Sequence, residues 1–314
     1  MGETIKVPET LMDVIRYFSD PSTCVQFMAQ LRWFDGPVCP RCQSKRLSFL
    51  QTRLMWKCLD CKKQFSVKVG TIFEDSAIGL DKWLCALWLI ANCKNGVSSY
   101  EVARDLKITQ KSAWFMIYRI RHAMHTGTFA KLSGEIEVDE SFIGGKARNM
   151  HASRRAKKIC GRGPVDKAIA FGIVERGGDL HVTAVDTRKK KELQPIIKQH
   201  VEAGSAIFSD ELKSYEGLED EFQHAVINHA VEYANGNVHT NTMENFWSLL
   251  KRGLHGTYIS VEPYHLFRYL DEQAFRYNKR HTTDQDRFVQ LCSMVANRRL
   301  TWNELTGKTH GERI

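Results

Sequence analysis

The chain has 314 residues and a mass of 36.1 kDa, more than one average domain requires, so two or three domains are expected. Hydrophobic residues make up 43% and charged residues 26%, a composition that excludes wholesale disorder. Lys and Arg number 45 against 36 Asp and Glu, and the resulting net charge of +9 favours a polyanionic partner, nucleic acid ahead of an anionic membrane.

The N-terminus has no basic stretch leading into an apolar run, and position 6 is Lys rather than Ser or Thr. Neither a secretory nor a myristoylation signal is expected. The most apolar stretch, residues 83–91, is far short of the ~20 residues that cross a bilayer. The expected location is cytoplasmic, on the nucleoid, with no membrane partner. Nine cysteines in such a chain need an explanation other than disulfides.

Leu11, Val14, Ile15 and Phe18 recur at helical spacing, so a helix opens the chain. Cys39-Pro40-Arg41-Cys42 and Cys58-Leu59-Asp60-Cys61 then form two C-x2-C knuckles fifteen residues apart, the spacing of a four-thiolate structural zinc site. The segment between them suits a β-hairpin. Zinc is the better fit, and tetrahedral sulfur also accommodates iron. Arg46, Arg53, Lys57, Lys62 and Lys63 surround the knuckles and favour thiolates. Alternating Phe65, Val67 and Val69 predict a short strand that closes this ribbon, and Cys24, Cys85, Cys93, Cys160 and Cys292 read as reduced or buried thiols.

An apolar helix over 83–93 leads to a helix-turn-helix pattern. Ser98 or Ser99 caps a short helix through Leu106, Lys107-Ile108 turns, and Thr109 caps a second helix from Gln110 to about Met124. Gln110, Lys111 and Ser112 open that second helix, where base edges are usually met. Lys107 stands where such turns often carry Gly. An ordinary helical linker with a solvated basic face is the alternative.

From Glu135 the pattern changes to strands. Residues 135–143 form the first, and 167–175 and 180–186 flank Arg176-Gly177-Gly178-Asp179, a hairpin signal. An amphipathic helix over 189–201 turns Leu193, Ile196 and Ile197 inward. A strand at 206–210, another near 225–227 and a helix over 240–252 follow. Three antiparallel strands, a helix and further αβ units describe an RNase H-like sheet. The basic stretch from Lys146 to Lys167, with Arg148, Arg154, Arg155, Lys157, Lys158 and Arg162, is either a solvated loop or a track for phosphates.

In that architecture Asp139 on the first strand, Asp210 at the end of the fourth and Glu244 on a later helix converge. Three carboxylates around one point repel unless cations share the site, and hard oxygen ligands suit Mg2+ or Mn2+. Two such ions activate a hydroxyl nucleophile and stabilise the leaving oxygen of a phosphodiester. Lys251 lies two helical turns after Glu244 and is expected to hold a phosphate beside the metals. Glu135, Glu137 and Asp139 share one strand face, Glu140 points the other way, and parity alone leaves open which face carries the metals. His239 and Asn241 are candidates for substrate contact, His239 equally for a helix-start residue. Phe246 and Trp247 read as helix core.

Residues 138–145 (Val-Asp-Glu-Ser-Phe-Ile-Gly-Gly), Ser209-Asp210, and His239-Thr240-Asn241-Thr242-Met243-Glu244-Asn245-Phe246-Trp247 through Lys251 resemble the catalytic blocks of insertion-sequence DDE transposases. The similar branch carries an N-terminal zinc ribbon, and Cys39-Pro40-Arg41-Cys42, Gln64-Phe65-Ser66-Val67 and Gly70-Thr71-Ile72-Phe73 resemble that ribbon. The resemblance spans about residues 10–280. It implies Asp139, Asp210 and Glu244 as the triad, with Lys251 as the basic residue that accompanies the Glu. It also implies binding to terminal inverted repeats, strand cleavage and joining into target DNA.

The fold expected is a multidomain α+β chain: helix and zinc ribbon over 1–75, a helix-turn-helix-like DNA-binding segment over 76–128, an RNase H-like α/β catalytic domain with a mixed sheet over 129–280, and a tail over 281–314. The function expected is a metal-dependent DNA transposase that acts on double-stranded DNA as a homo-oligomer, taken as a dimer, with structural Zn2+ and catalytic Mg2+ or Mn2+. The alternatives are a sequence-specific DNA-binding regulator whose RNase H-like domain is only a scaffold, and a structure-selective nuclease of the same fold.

Overall fold

Thr10 starts the first helix, α1 (Leu11–Tyr17), with a reciprocal capping box: its hydroxyl accepts from Asp13 N, and the Asp13 carboxylate accepts from Thr10 N. In the computed structural model, which describes residues 7–125, 130–145, 151–153, 156, 167–227, 239–259 and 261–306, this helix belongs to the first of two units. The first unit comprises residues 1–124 and 281–314, the second residues 125–280.

In the first unit, Asp20 caps α2 (Pro21–Arg32), with Pro at the first helical position, where its missing N–H costs nothing. A three-stranded antiparallel ribbon follows, β1 (Leu47–Leu50), β2 (Met55–Cys58) and β3 (Gln64–Phe65), in the order β1-β2-β3. Trp33, Trp56 and Phe65 form its small aromatic core, with centroids 5.2–6.3 Å apart. The closing strand is only two residues long, although the buried alternation continues to Val67.

The apolar helix is α3 (Leu80–Asn92), buried along most of its length. Ser98 caps α4 (Ser99–Asp105), and the Thr109 hydroxyl accepts from Ser112 N at the start of α5 (Gln110–Met124). Lys107 adopts φ +49°, the left-handed conformation for which Gly is the usual choice.

Residues 281–306, within the stretch set apart above as a tail, pack instead with the first unit. Phe288 of the helix α9 (Asp284–Ser293) lies against Phe18, Phe27 and Trp88, and Leu291 and Cys292 are buried beside it. The buried Arg119 guanidinium on α5 donates to the carbonyls of Leu300, Ile72 and Glu74, tying this segment to the ribbon's exit. The short helix α10 (Trp302–Leu305) completes the unit. The many Arg and polar residues of this stretch conceal the apolar side chains that carry its packing, among them Phe288, Leu291, Val295 and Leu300.

The second unit is built on a five-stranded mixed sheet of β4 (Glu135–Ile143), β5 (Ala168–Glu175), β6 (Leu180–Val185), β7 (Ala206–Asp210) and β8 (Gln223–Ile227). Its order is β6-β5-β4-β7-β8; β4, β5 and β6 are antiparallel, whereas β7 runs parallel to both β4 and β8. This is an RNase H-like sheet. The helix α6 (Lys190–His200) covers one face with Leu193 and Ile197, which pack on Ile136, Val138, Ile173 and Ile207 together with Tyr215 and Leu218. Burying a side chain of this kind contributes about 1.5–3 kcal/mol. The helices α7 (Asn241–Gly256) and α8 (Leu266–Asn278) complete the unit, α7 through Met243, Phe246, Trp247 and Leu250. Asn278 at the end of α8 pairs with both backbone groups of Leu180 on edge strand β6. Among the described residues no helix is long and apolar enough to cross a membrane.

Candidate active site and metal centre

The two knuckles are local structures. After each second cysteine one residue turns left-handed, Gln43 at φ +58° and Lys62 at φ +62°, which folds the chain back toward its own sulfurs. Cys39 N donates to Ser44 O and Cys58 N to Lys63 O, closing both turns. The four Sγ atoms lie within 4.8 Å of one another, with 3.7 Å between those of Cys39 and Cys61 and 3.5 Å between those of Cys42 and Cys58. A Zn–S bond of ~2.3 Å in a tetrahedron puts sulfurs about 3.8 Å apart, so the cluster fits one zinc ion. Backbone N–H groups of Cys61 and Asp60 directed at the Cys58 sulfur pull its thiol down, whereas burial and the neighbouring sulfurs push the Cys42 thiol up. The four sulfurs therefore share their protons unevenly until a metal displaces them. Thiolate is the form a metal needs. Arg46 pairs with Asp60 at 2.8 Å, and the Lys62 ammonium donates to Leu59 O, so two of the surrounding cations are held within the knuckle. Of the remaining cysteines, Cys24, Cys85 and Cys292 are buried thiols, Cys93 is half-buried, and Cys160 lies outside the described residues.

The acidic site depends on the sheet. Adjacent parallel strands β4 and β7 carry Asp139 and Asp210 toward the same end. Asp139 is half-buried; its Oδ2 accepts from Trp247 Nε1 at 2.9 Å and its Oδ1 from Glu140 N at 2.8 Å. Burial, with the negative charges of Glu140 and Asp210 nearby, pushes its carboxyl up to about 7. Asp210 Oδ1 accepts from Leu212 N, which turns the chain sharply after β7.

Alternation along β4 sends Glu137 and Asp139 to the face where α7 lies and Glu140 to the face of Tyr215. Glu140 accepts from Tyr215 OH at 2.5 Å, and Arg188 stands 3.5 Å from its Oε1, an atom with no hydrogen-bond partner. Burial and the charge of Asp210 raise this carboxyl as well.

Glu137 is fully buried, unlike the exposed Glu135 on the same face. Its Oε2 accepts from Thr242 N at 2.8 Å and Met243 N at 3.0 Å, and its Oε1 accepts from Thr242 Oγ1 at 2.9 Å and Arg176 Nε at 2.8 Å. Arg176 also donates to His239 O at 2.7 Å and lies over the Phe208 ring. His239 is therefore engaged at the helix start, with Nδ1 3.3 Å from Glu137 and 3.1 Å from Arg176 Nη2. Sequence reasoning noted the shared face of Glu137 and Asp139 but missed this role. The one available signal was an acid flanked by the apolar Ile136 and Val138 on a central strand.

Glu244 and Lys251 lie on α7, Glu244 exposed and Lys251 half-buried. Glu244 falls between Met243, held through its backbone by Glu137, and Trp247, which holds Asp139. Asn241, at the first position of α7, is exposed. Among the described residues only the four cysteines form a group with three or more ligand atoms at metal distance, so Asp139, Asp210 and Glu244 are not drawn together to that extent. Phe246 and Trp247 are buried, as helix core requires.

At the start of α5, Gln110 donates to Ser99 Oγ, Ser112 Oγ meets Thr109 Oγ1, and Lys111 lies 5.0 Å above the Trp302 ring. Lys146, Arg148, Arg154, Arg155, Lys157, Lys158 and Arg162 lie outside the described residues.

A zinc ribbon preceding an RNase H-like sheet, with Asp139 midway along β4 and Asp210 at the end of neighbouring β7, is the arrangement expected of zinc-ribbon transposases. Residues 131–278 match the ISXO2-like transposase domain and residues 19–64 the transposase zinc-ribbon domain. The chain is 26% identical over 253 residues to an uncharacterized protein in transposable element ISH50 of Halobacterium salinarum, covering 76% of this chain and 85% of that one. It is 30% identical over 107 residues to an uncharacterized transposase-like protein of Haemophilus influenzae, covering 34% of this chain and 86% of that one. The chain belongs to the ISXO2-like transposases, the insertion-sequence transposases with an N-terminal zinc ribbon.

Proposed function

We propose that this transposase binds the terminal inverted repeats of its element, cleaves phosphodiester bonds there and joins the freed ends to target DNA. The observation that carries this reading is that adjacent parallel strands β4 and β7 bring Asp139 and Asp210 side by side within the stretch that matches the transposase domain. Acids brought together in this way are stabilised as carboxylates by a positive counter-charge, and hard oxygen donors suit Mg2+ or Mn2+. Asp139, Asp210 and Glu244 are the ligands. When bound, the ions lower the cost of forming an alkoxide or hydroxide nucleophile and stabilise the leaving oxygen. Glu244 approaches from α7 rather than from the sheet, and Lys251, on the same helix two turns on, holds a DNA phosphate. Gln110, Lys111 and Ser112 at the start of α5, together with the basic stretch from Lys146 to Arg162, contact DNA as a dimer assembles on the element's ends. The chain works on the nucleoid.

Asp139→Asn, Asp210→Asn and Glu244→Gln are each expected to lower Mg2+-dependent cleavage of end-containing duplex at least ~1,000-fold while leaving affinity for that duplex within about two-fold. Near-normal cleavage by any one of them removes that residue from the site. Formation of joined product separates a transposase from a structure-selective nuclease, and binding without cleavage by the native chain would favour the regulator.

A further inference from the structure

We infer that Glu137 is a positioning residue: a buried carboxylate on the Asp139 strand that caps the Glu244 helix and sets the distance between the two acids. The inference rests on the assignment of Asp139 and Glu244 proposed above.

The first amides of a helix have no intrahelical acceptor, and a side-chain oxygen from the N-cap residue usually takes them. In α7 the N-cap is Thr240, and its side chain makes no capping bond. The acceptor comes from another element. Glu137, on β4, takes the N–H groups of Thr242 and Met243 and the Thr242 hydroxyl. A negative charge at a helix N-terminus is also favoured by the helix dipole. With Arg176 Nε, four donors satisfy this fully buried carboxylate. Arg176 in turn holds the carbonyl of His239, the residue before the N-cap, so the same network fixes the chain entering the helix.

A second attachment lies one turn further along, where Trp247 donates to Asp139. Glu137 and Asp139 are two residues apart on one strand face, about 6.6 Å. The two attachments therefore grip α7 on either side of Glu244. Between them, Gly172 on β5 leaves room for Met243: a Cβ there would come 2.2 Å from Met243 Cε. The helix is thus held in both axial position and height above the sheet. An ordinary cap would fix where α7 begins; a cap supplied by β4 fixes where α7 begins relative to Asp139.

The test uses the full chain and two variants. Glu137→Asp keeps the charge opposite Arg176 but shortens the reach by one methylene, and Glu137→Gln keeps the reach but puts a donor where acceptors are needed. Hydrogen exchange of the peptide covering 241–247 is expected to be about ten-fold faster in both. With Mg2+ and duplex DNA carrying the repeats that flank the gene, Glu137→Asp is expected to cleave about 100-fold more slowly, because a shift near 1 Å in a catalytic group costs that much. Its half-saturating Mg2+ concentration is expected to rise about ten-fold, with DNA affinity unchanged. A purely structural role would reduce the folded fraction without moving the Mg2+ dependence. Unchanged exchange in both variants, or Glu137→Asp cleaving with native Mg2+ dependence, overturns the inference. If Glu244→Gln cleaves normally, the proposed site fails instead, and the exchange measurement still decides whether Glu137 holds the helix.

Discussion

The zinc ribbon and the acidic site reach their donor sets by opposite routes. The ribbon takes four sulfurs from one stretch, residues 39–61, and its two turns bring them within 4.8 Å before any distant contact is needed. The proposed acidic site takes its groups from two parallel strands and a helix, with Asp139, Asp210 and Glu244 spread over more than a hundred residues of chain. In the ribbon the metal is expected to hold a module whose core is little more than Trp33, Trp56 and Phe65. In the proposed acidic site a packed sheet holds the carboxylates, and a bound metal would add only charge balance. Metal loss should therefore unfold the one and leave the other standing.

The largest expected effect tests that contrast directly. Cys58→Ser should abolish zinc binding, measured as metal content of the purified chain, and unfold the ribbon while the RNase H-like unit keeps its thermal transition. A native chain that binds no zinc, or a ribbon that stays folded when chelated, would erase the distinction. A smaller effect is expected at Gly172, where the sheet must admit Met243 and Trp247. Gly172→Ala should destabilise the second unit by about 1–3 kcal/mol, the usual cost of overpacking, and slow cleavage without changing zinc content. Unaltered cleavage would mean that the height of α7 above the sheet does not matter.

The smallest effect at neutral pH concerns His181, stacked on His200 with centroids 3.7 Å apart. Burial, with His200 and His125 nearby, depresses its pKa to about 3. Because the folded value lies below the ordinary one, the contribution to stability is present above about pH 6.5 and is lost as pH falls toward 3. His181→Phe keeps the stack and should flatten this acid limb in the melting temperature of the second unit, with no change in the ribbon.

These differences also explain what was readable in advance. The cysteine pairs were legible because ligand spacing and turn geometry are both local. The helix-turn-helix boundaries followed from Ser98 and Thr109, whose caps act within three residues. The segment after 280 was not legible, because Phe288, Leu291 and Cys292 gain meaning only when set against Phe18, Phe27 and Trp88. Glu137 was harder still: as a letter in the sequence it equals Glu135, which is exposed on the same face.

The sequence by itself determined the ribbon, the strand alternation that sends Glu137 and Asp139 to one face of β4, and the family to which the chain belongs. Only the tertiary structure decided which acid is buried, what caps α7, and that Asp139 lies under Trp247. The physical reason is the range of the interactions involved. Turn preferences and side-chain alternation act over a few residues, whereas desolvation of a carboxylate depends on every element packed around it.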